Sequence, residues 1–173
     1  MNIIIKSTLI AFFLVINSTN LWARNFRIEV IVFQQNSPTS ETFPQVSTEL
    51  SWPNIIQQDF RDNISLQRIY SSLATNYAYQ PVWYKSWVQS FASHRTSGAM
   101  PITLGDGDLL NGFVRVQRGH YVQLLFDLEY SPGGSNAESP VIYRINEKRR
   151  VKLNEIHYFD HPRFGVIATI RSL

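Results

Sequence analysis

The strongest constraint on the fold is the alternating pattern of residues 26–33. One side would carry Phe26, Ile28, Val30 and Val32, and the other Arg27, Glu29, Ile31 and Phe33. β-Branched and aromatic residues at a period of two are typical of a β-strand. We therefore expect a strand here, in a central position of a sheet.

Six further segments are predicted to be strands: residues 79–89, 112–117, 121–130, 141–146, 149–153 and 164–170. Residues 112–117 and 121–130 would form a hairpin with a tight turn at Arg118-Gly119. Residues 141–146 and 149–153 would form another hairpin. The first and last strands of the chain are the most hydrophobic and are expected to pair centrally.

One helix is predicted from apolar residues at steps of three and four, with Asp62 or Asn63 as its N-cap. These residues are Leu66, Ile69, Tyr70, Leu73 and Tyr77. The expected fold class is α+β, a mainly antiparallel sheet of about six or seven strands with one principal helix packed on one face.

Residues 34–60, 93–111 and 131–140 are rich in polar residues, Pro or Gly and are expected to be connections. The first of these should lie along the surface through Phe43, Leu50 and Trp52. The chain has no cysteine, which excludes disulfides and thiolate metal sites, so the fold must depend on its hydrophobic core. Residues 24–173 are long enough to form one domain.

Residues 1–23 have the composition of a secretory signal peptide. Lys6 closes a short basic segment, an apolar run of about ten residues follows, and Ala23 is the expected cleavage position. Because a spanning helix needs about 20 apolar residues, we expect no retained membrane anchor. We expect a periplasmic protein. The net charge of +3 is too small to identify a partner, and export makes nucleic acid an implausible one.

The block near the C-terminus contains the most chemically specific residues. The candidate ligand-binding residues are Arg149, Arg150, Glu155, His157, Tyr158, Asp160 and His161. On a helical turn, His157, Asp160 and His161 would share a face and could hold zinc in a metal-dependent hydrolase. Pro162 disfavours a helix at His161, and Tyr158-Phe159 favours a strand. The alternative is that these side chains cap turns and bond to the backbone.

A basic run lies just before this block, and a strand would place Lys148, Arg150 and Lys152 on one face. Guanidinium groups bind carboxylates bidentately, and in the cell envelope peptidoglycan stem peptides supply carboxylates. The alternative is a solvated edge strand protected by its charges. Aromatic residues that could stack on sugar rings, or could equally belong to the core, are Trp83, Tyr84, Trp87, Tyr121 and Tyr158.

Several motifs resemble the CsiV family of periplasmic peptidoglycan-binding proteins. They are residues 26–33 after a signal peptide, Tyr79 with Trp87 and Gln89, Leu110-Asn111-Gly112, residues 121–128, and above all Arg149-Arg150 with residues 155–165. The resemblance implies a non-enzymatic protein of Gram-negative bacteria, without cofactor or metal, that binds peptidoglycan. It also implies a role in cell-wall synthesis and cell shape through a class A penicillin-binding protein and its lipoprotein activator. It assigns no binding residues.

Three classes of function therefore stay open at this point: a cell-wall binding module, a metal-dependent amidase or glycan hydrolase, and an adaptor that contacts a synthase but no glycan. No serine lies in a Gly-x-Ser-x-Gly elbow. Of the three classes we expect the binding module, which is not an enzyme.

Overall fold

The computed structural model describes residues 24–36, 50–62, 65–92, 94–105, 110–132 and 141–173. The elements are β1 (Arg24–Gln35), β2 (Phe60–Arg61), α1 (Gln67–Thr75), β3 (Tyr79–Phe91), β4 (Arg95–Thr96), β5 (Met100–Pro101), β6 (Leu110–Arg118), β7 (Val122–Tyr130), β8 (Tyr143–Val151), β9 (Ile156–His161) and β10 (Phe164–Ser172). The predicted signal peptide, Phe43 and Asn63 lie outside the described residues.

The first sheet has the order β2-β3-β1-β10-β9, and its described pairings are antiparallel. The predicted central pairing of the first and last strands is confirmed, from Phe26 opposite Ser172 to Gln34 opposite Phe164. The register of β1 against β3 shifts where Phe33 meets Pro81. This irregularity suits a proline, which cannot donate to the ladder.

The second sheet has the order β4-β6-β7-β8, with β5 also paired to β6. The predicted hairpin of β6 and β7 is confirmed. The predicted hairpin of residues 141–146 and 149–153 is wrong, because β8 runs unbroken alongside β7. Glu147 and Lys148, the predicted connection, stay in the ladder opposite Phe126 and Leu125, and β9 instead forms a hairpin with β10.

The main core lies between the two sheets. β1 contributes the side that carries Phe26, Ile28, Val30 and Val32. β6, β7 and β10 contribute inward-facing residues such as Val114, Phe126 and Val166. The α+β class holds in the broad sense, but two five-stranded sheets replace the single sheet of six or seven strands. Alternation shows that a strand has a buried face but does not show what covers it.

Helix α1 packs on the outer side of the first sheet, over Ile31 and Phe33. The helix is confirmed, but Asp62 does not cap it, because Leu66 takes the N-cap position without a side-chain cap. The carboxylate of Glu29, 1% exposed in β1, instead accepts hydrogen bonds from the amides of Ser65 and Leu66, the Ser65 hydroxyl and the Tyr84 hydroxyl. Glu29 therefore satisfies helix N-terminal donors from a neighbouring strand.

Within the described ranges, none of the helices is long and apolar enough to cross a membrane.

Candidate functional site

Strand β8 separates the two candidate arginines onto opposite sides of the second sheet. Arg149 faces the gap between β8 and β9, where its Nη1 donates to the backbone oxygen of Tyr158 at 2.7 Å. Its Nε donates to Glu147 at 2.7 Å, and its guanidinium lies 5.0 Å from the centre of the Phe159 ring. Arg149 thus joins the edges of the two sheets, and its main contacts are to the protein itself.

Arg150 points to the outer face of the second sheet, the face turned away from the core. Its guanidinium carbon lies 3.2 Å from the centre of the Tyr121 ring. A cation held over an aromatic face is stabilised by the ring quadrupole. Lys148 shares this outer face, as the sequence predicted, and both cations are exposed.

The charges on this outer face are unevenly distributed. At one end, Arg144 donates to both oxygens of Asp127, at 2.8 and 2.9 Å, and lies 3.7 Å from Glu129. The Asp127 hydrogen bond raises the pKa of Arg144 above its ordinary value. Asn146 also donates to Asp127, at 3.3 Å. This end is a self-contained ion cluster, whereas Lys148 and Arg150 lie at the other end.

Strand β9 places the other candidate residues on two sides. His157 and His161 lie on the side of Phe159, towards the core, and Tyr158 and Asp160 lie on the side of α1. His157 and Asp160, three residues apart on a strand, therefore point to opposite sides of the sheet. The described residues contain no group of three or more His, Asp or Glu side chains placed to hold a metal ion.

Both histidines of the block bond to nearby backbone. His157 Nε2 lies 3.1 Å from the amide nitrogen of Lys152 and 3.0 Å from its carbonyl oxygen. His161 Nδ1 accepts from the Arg163 amide at 3.1 Å, in the turn between β9 and β10. Burial lowers the pKa of His161, with Arg163 lowering it further and Asp160 opposing the shift. These contacts match the turn-capping alternative.

Tyr158 and Asp160 form a hydrogen-bonded cluster with Gln35 at the end of β1. The Tyr158 hydroxyl donates to Asp160 Oδ1 at 2.5 Å, and Gln35 Nε2 donates to the same oxygen at 3.1 Å. Burial, followed by the bond to Asp160, raises the pKa of Tyr158. The ring stacks on Phe33 at 6.0 Å, across Gly165, where an added Cβ would lie 2.6 Å from Phe33 and 2.8 Å from Tyr158. Gly165 is therefore required by this packing.

The remaining candidates are distributed over the surface and the core. Glu155 pairs with Lys152 at 3.3 Å, with both side chains more than half exposed, so this ion pair contributes little. Trp83 and Trp87 are buried, and Tyr84 stacks on Tyr70 of α1 at 5.1 Å. Of the five aromatic residues considered for sugar stacking, Tyr121 and Tyr158 are the exposed ones.

Sequence reasoning missed two side chains that organise these surfaces, Glu29 and Gln35. A carboxylate between apolar residues in a strand predicted to be central was the available signal for Glu29, because a buried charge requires hydrogen-bonding partners. Gln35 had no comparable signal, since its partners lie more than 120 residues away in the chain.

A family model described as "Peptidoglycan-binding protein, CsiV" matches residues 56–173, from just before β2 to the last residue of the sequence. No match was found among curated proteins or among solved structures. The matched region includes Arg149-Arg150, the β9–β10 hairpin and the outer face of the second sheet. Since the match covers well over half of the 173 residues, the chain belongs to the CsiV family of peptidoglycan-binding proteins.

Proposed function

We propose that this protein binds peptidoglycan without cleaving it. The observation that carries the proposal is the family match over residues 56–173. The described surfaces are compatible with binding, because an open sheet face presents exposed cations beside an exposed aromatic ring. Such groups suit an amphipathic, carboxylate-bearing polymer.

The surroundings of the candidate catalytic groups support a role without chemistry. His157 and His161 are engaged with backbone groups, and Asp160 accepts from Tyr158 and Gln35. A general base needs its lone pair directed at a substrate proton, and a nucleophile needs an oriented base beside it. The contacts around these three residues instead resemble those of turns and strand edges.

We further propose that the protein is exported by residues 1–23 and acts in the periplasm of a Gram-negative cell. Its proposed partners are peptidoglycan and a class A penicillin-binding protein with its lipoprotein activator, through which it would support wall synthesis and cell shape. The resemblance of the chain to its family supports these partners.

Sedimentation with purified sacculi tests the proposal. The mature protein is mixed with sacculi, the pellet and supernatant are assayed for protein, and the supernatant is analysed for released muropeptides. We expect co-sedimentation without release. Release of wall fragments by the wild type, lost in a His157→Ala variant, would establish a hydrolase. Absence of both binding and release, with retained binding to the synthase, would establish the adaptor.

A further inference from the structure

The outer face of the second sheet is a surface with a defined arrangement of side chains. Antiparallel pairing of β6, β7 and β8 sets its cross-strand rows. One row joins Arg115, Leu125 and Lys148, and the next joins Gln117, Gln123 and Arg150. We call these two rows, together with Tyr121 in the β6–β7 turn, the cationic rows.

The two ends of this face differ in coverage. At the end that carries the Asp127–Arg144 ion cluster, Phe113 is 4% exposed, and Trp52 lies 5.7 Å from it, ring centre to ring centre. Tyr121 at the opposite end is 53% exposed. The described helix packs on the other sheet. Among the described residues, the cationic rows are therefore the open part of this face.

The cations of these rows are not neutralised within the described part of the protein. Arg115 donates through Nε to the backbone oxygen of Ser97 at 3.1 Å, and Arg150 rests on Tyr121. No described carboxylate lies within ion-pair distance of Lys148 or Arg150, and the nearby Asp127 is held by Arg144. Among the described residues, the positive charge of Lys148 and Arg150 is therefore not offset by an ion pair.

The spacing of these groups suits an extended peptide that carries carboxylates. Lys148 and Arg150 are two residues apart on one strand, so their Cα atoms are about 7 Å apart. Arg115 lies two strands away from Lys148, about 10 Å across the sheet. The ring of Tyr121 restricts the guanidinium of Arg150, which reduces the conformational entropy lost when it binds a carboxylate. Gln117 and Gln123 add amide donors and acceptors beside it.

We propose that the cationic rows bind the stem peptides of peptidoglycan through their free carboxylates, with Lys148 and Arg150 as the principal contacts. This inference rests on the proposed function. The stem peptides carry the free carboxylates of the wall, because the lactyl groups of the glycan are amide-linked to them. The competing exposed surface around Tyr158 carries the carboxylate of Asp160, which would repel such a ligand.

Charge-matched variants test this assignment by sacculus binding. Lys148→Gln with Arg150→Gln removes two cations from the rows, and Arg68→Gln with Lys85→Gln removes two exposed cations elsewhere. Losing charge-assisted contacts should weaken binding about tenfold or more in the first pair and leave the control pair unchanged. Circular dichroism melting confirms that both variants fold. If the wild type itself does not bind sacculi, the proposed function fails. If the wild type binds and the Lys148→Gln, Arg150→Gln variant binds equally well, the function stands and the assigned site is wrong.

Soluble probes test the ligand chemistry. The probes are the free tetrapeptide of the stem, the same peptide with its carboxylates amidated, and an oligomer of N-acetylglucosamine. We expect the free tetrapeptide alone to displace the protein from sacculi. Displacement by the sugar oligomer or by the amidated peptide would overturn stem-carboxylate recognition. Equal displacement by inorganic polyphosphate at matched charge would show a general polyanion surface and would overturn it as well.

Discussion

Replacing Glu29 with glutamine tests whether a strand carboxylate supports the start of α1. The substitution keeps the size of the side chain but replaces one acceptor oxygen with a donor group that faces other donors. Four donors converge on the carboxylate, two of them backbone amides at the helix N-terminus. Hydrogen bonds to a charged group contribute about 1.5–3 kcal/mol each, and such contributions are not additive.

We expect Glu29→Gln to lower the free energy of unfolding by about 2–3 kcal/mol, because the glutamine retains one acceptor oxygen. For a domain of this size, that loss should lower Tm by about 5–10 °C. Urea unfolding followed by circular dichroism at 222 nm, on the mature protein, measures the change. Ser65→Ala removes the hydroxyl donor alone and should cost about 1.5 kcal/mol, the lower end of the range for a bond to a charged group.

The matched control is Glu155→Gln, since Glu155 is an exposed carboxylate in an ion pair with Lys152. This control should stay within about 0.5 kcal/mol of wild type. The reasoning is refuted if Glu29→Gln is as stable as the control, or if Ser65→Ala costs the same in the Glu29→Gln protein as in the wild type. In the second case Glu29 and Ser65 would not be coupled.

Four further outcomes are expected. Gly165→Ala should destabilise the protein by about 1–3 kcal/mol in urea unfolding, since its Cβ would meet the two aromatic rings that stack across it. Burial and adjacent carboxylates raise the pKa of Tyr84 and Tyr158, so the unfolded chain releases these protons first; stability should fall as pH rises above about 10, and less steeply in the double Phe variant. The lowered pKa of His161 means that the unfolded chain binds its proton more readily; stability should fall as pH drops below about 6.5, and less so in His161→Phe. N-terminal sequencing of periplasmic protein should begin near Arg24, and intact Met1 in the membrane pellet would contradict cleavage and make residues 1–23 a membrane anchor.

The strands with clear alternation were predictable from sequence, and the division into two sheets was not. Residues 26–33 show two faces of different character, and the structure uses one for the main core and the other for α1. Nothing local in the sequence shows which layer covers which face. Strand β8 was wrongly divided at Glu147-Lys148, because charged residues are poor strand formers, while Phe126 and Leu125 of β7 hold these two residues in the ladder.

The candidate site shows the same division between local and long-range information. The alternation of a strand predicted Lys148 and Arg150 on one face, and the structure confirms this, with Arg149 on the opposite side. Which of them faces the fold depends on the position of β9, and Phe159 lies only 5.0 Å from Arg149. The self-neutralised cluster of Asp127 and Arg144 also required the pairing of β7 with β8.

The pairing of β1 with β10 has a consequence for the order of folding. The paired residues lie about 140 positions apart in the chain. The two central strands of the first sheet can therefore pair only after β10 has been synthesised. In the export proposed above, the first sheet therefore cannot form until β10 and β1 are on the same side of the membrane. A premature stop before residue 164 would remove a central strand rather than an edge strand, so no shortened product would retain the first sheet.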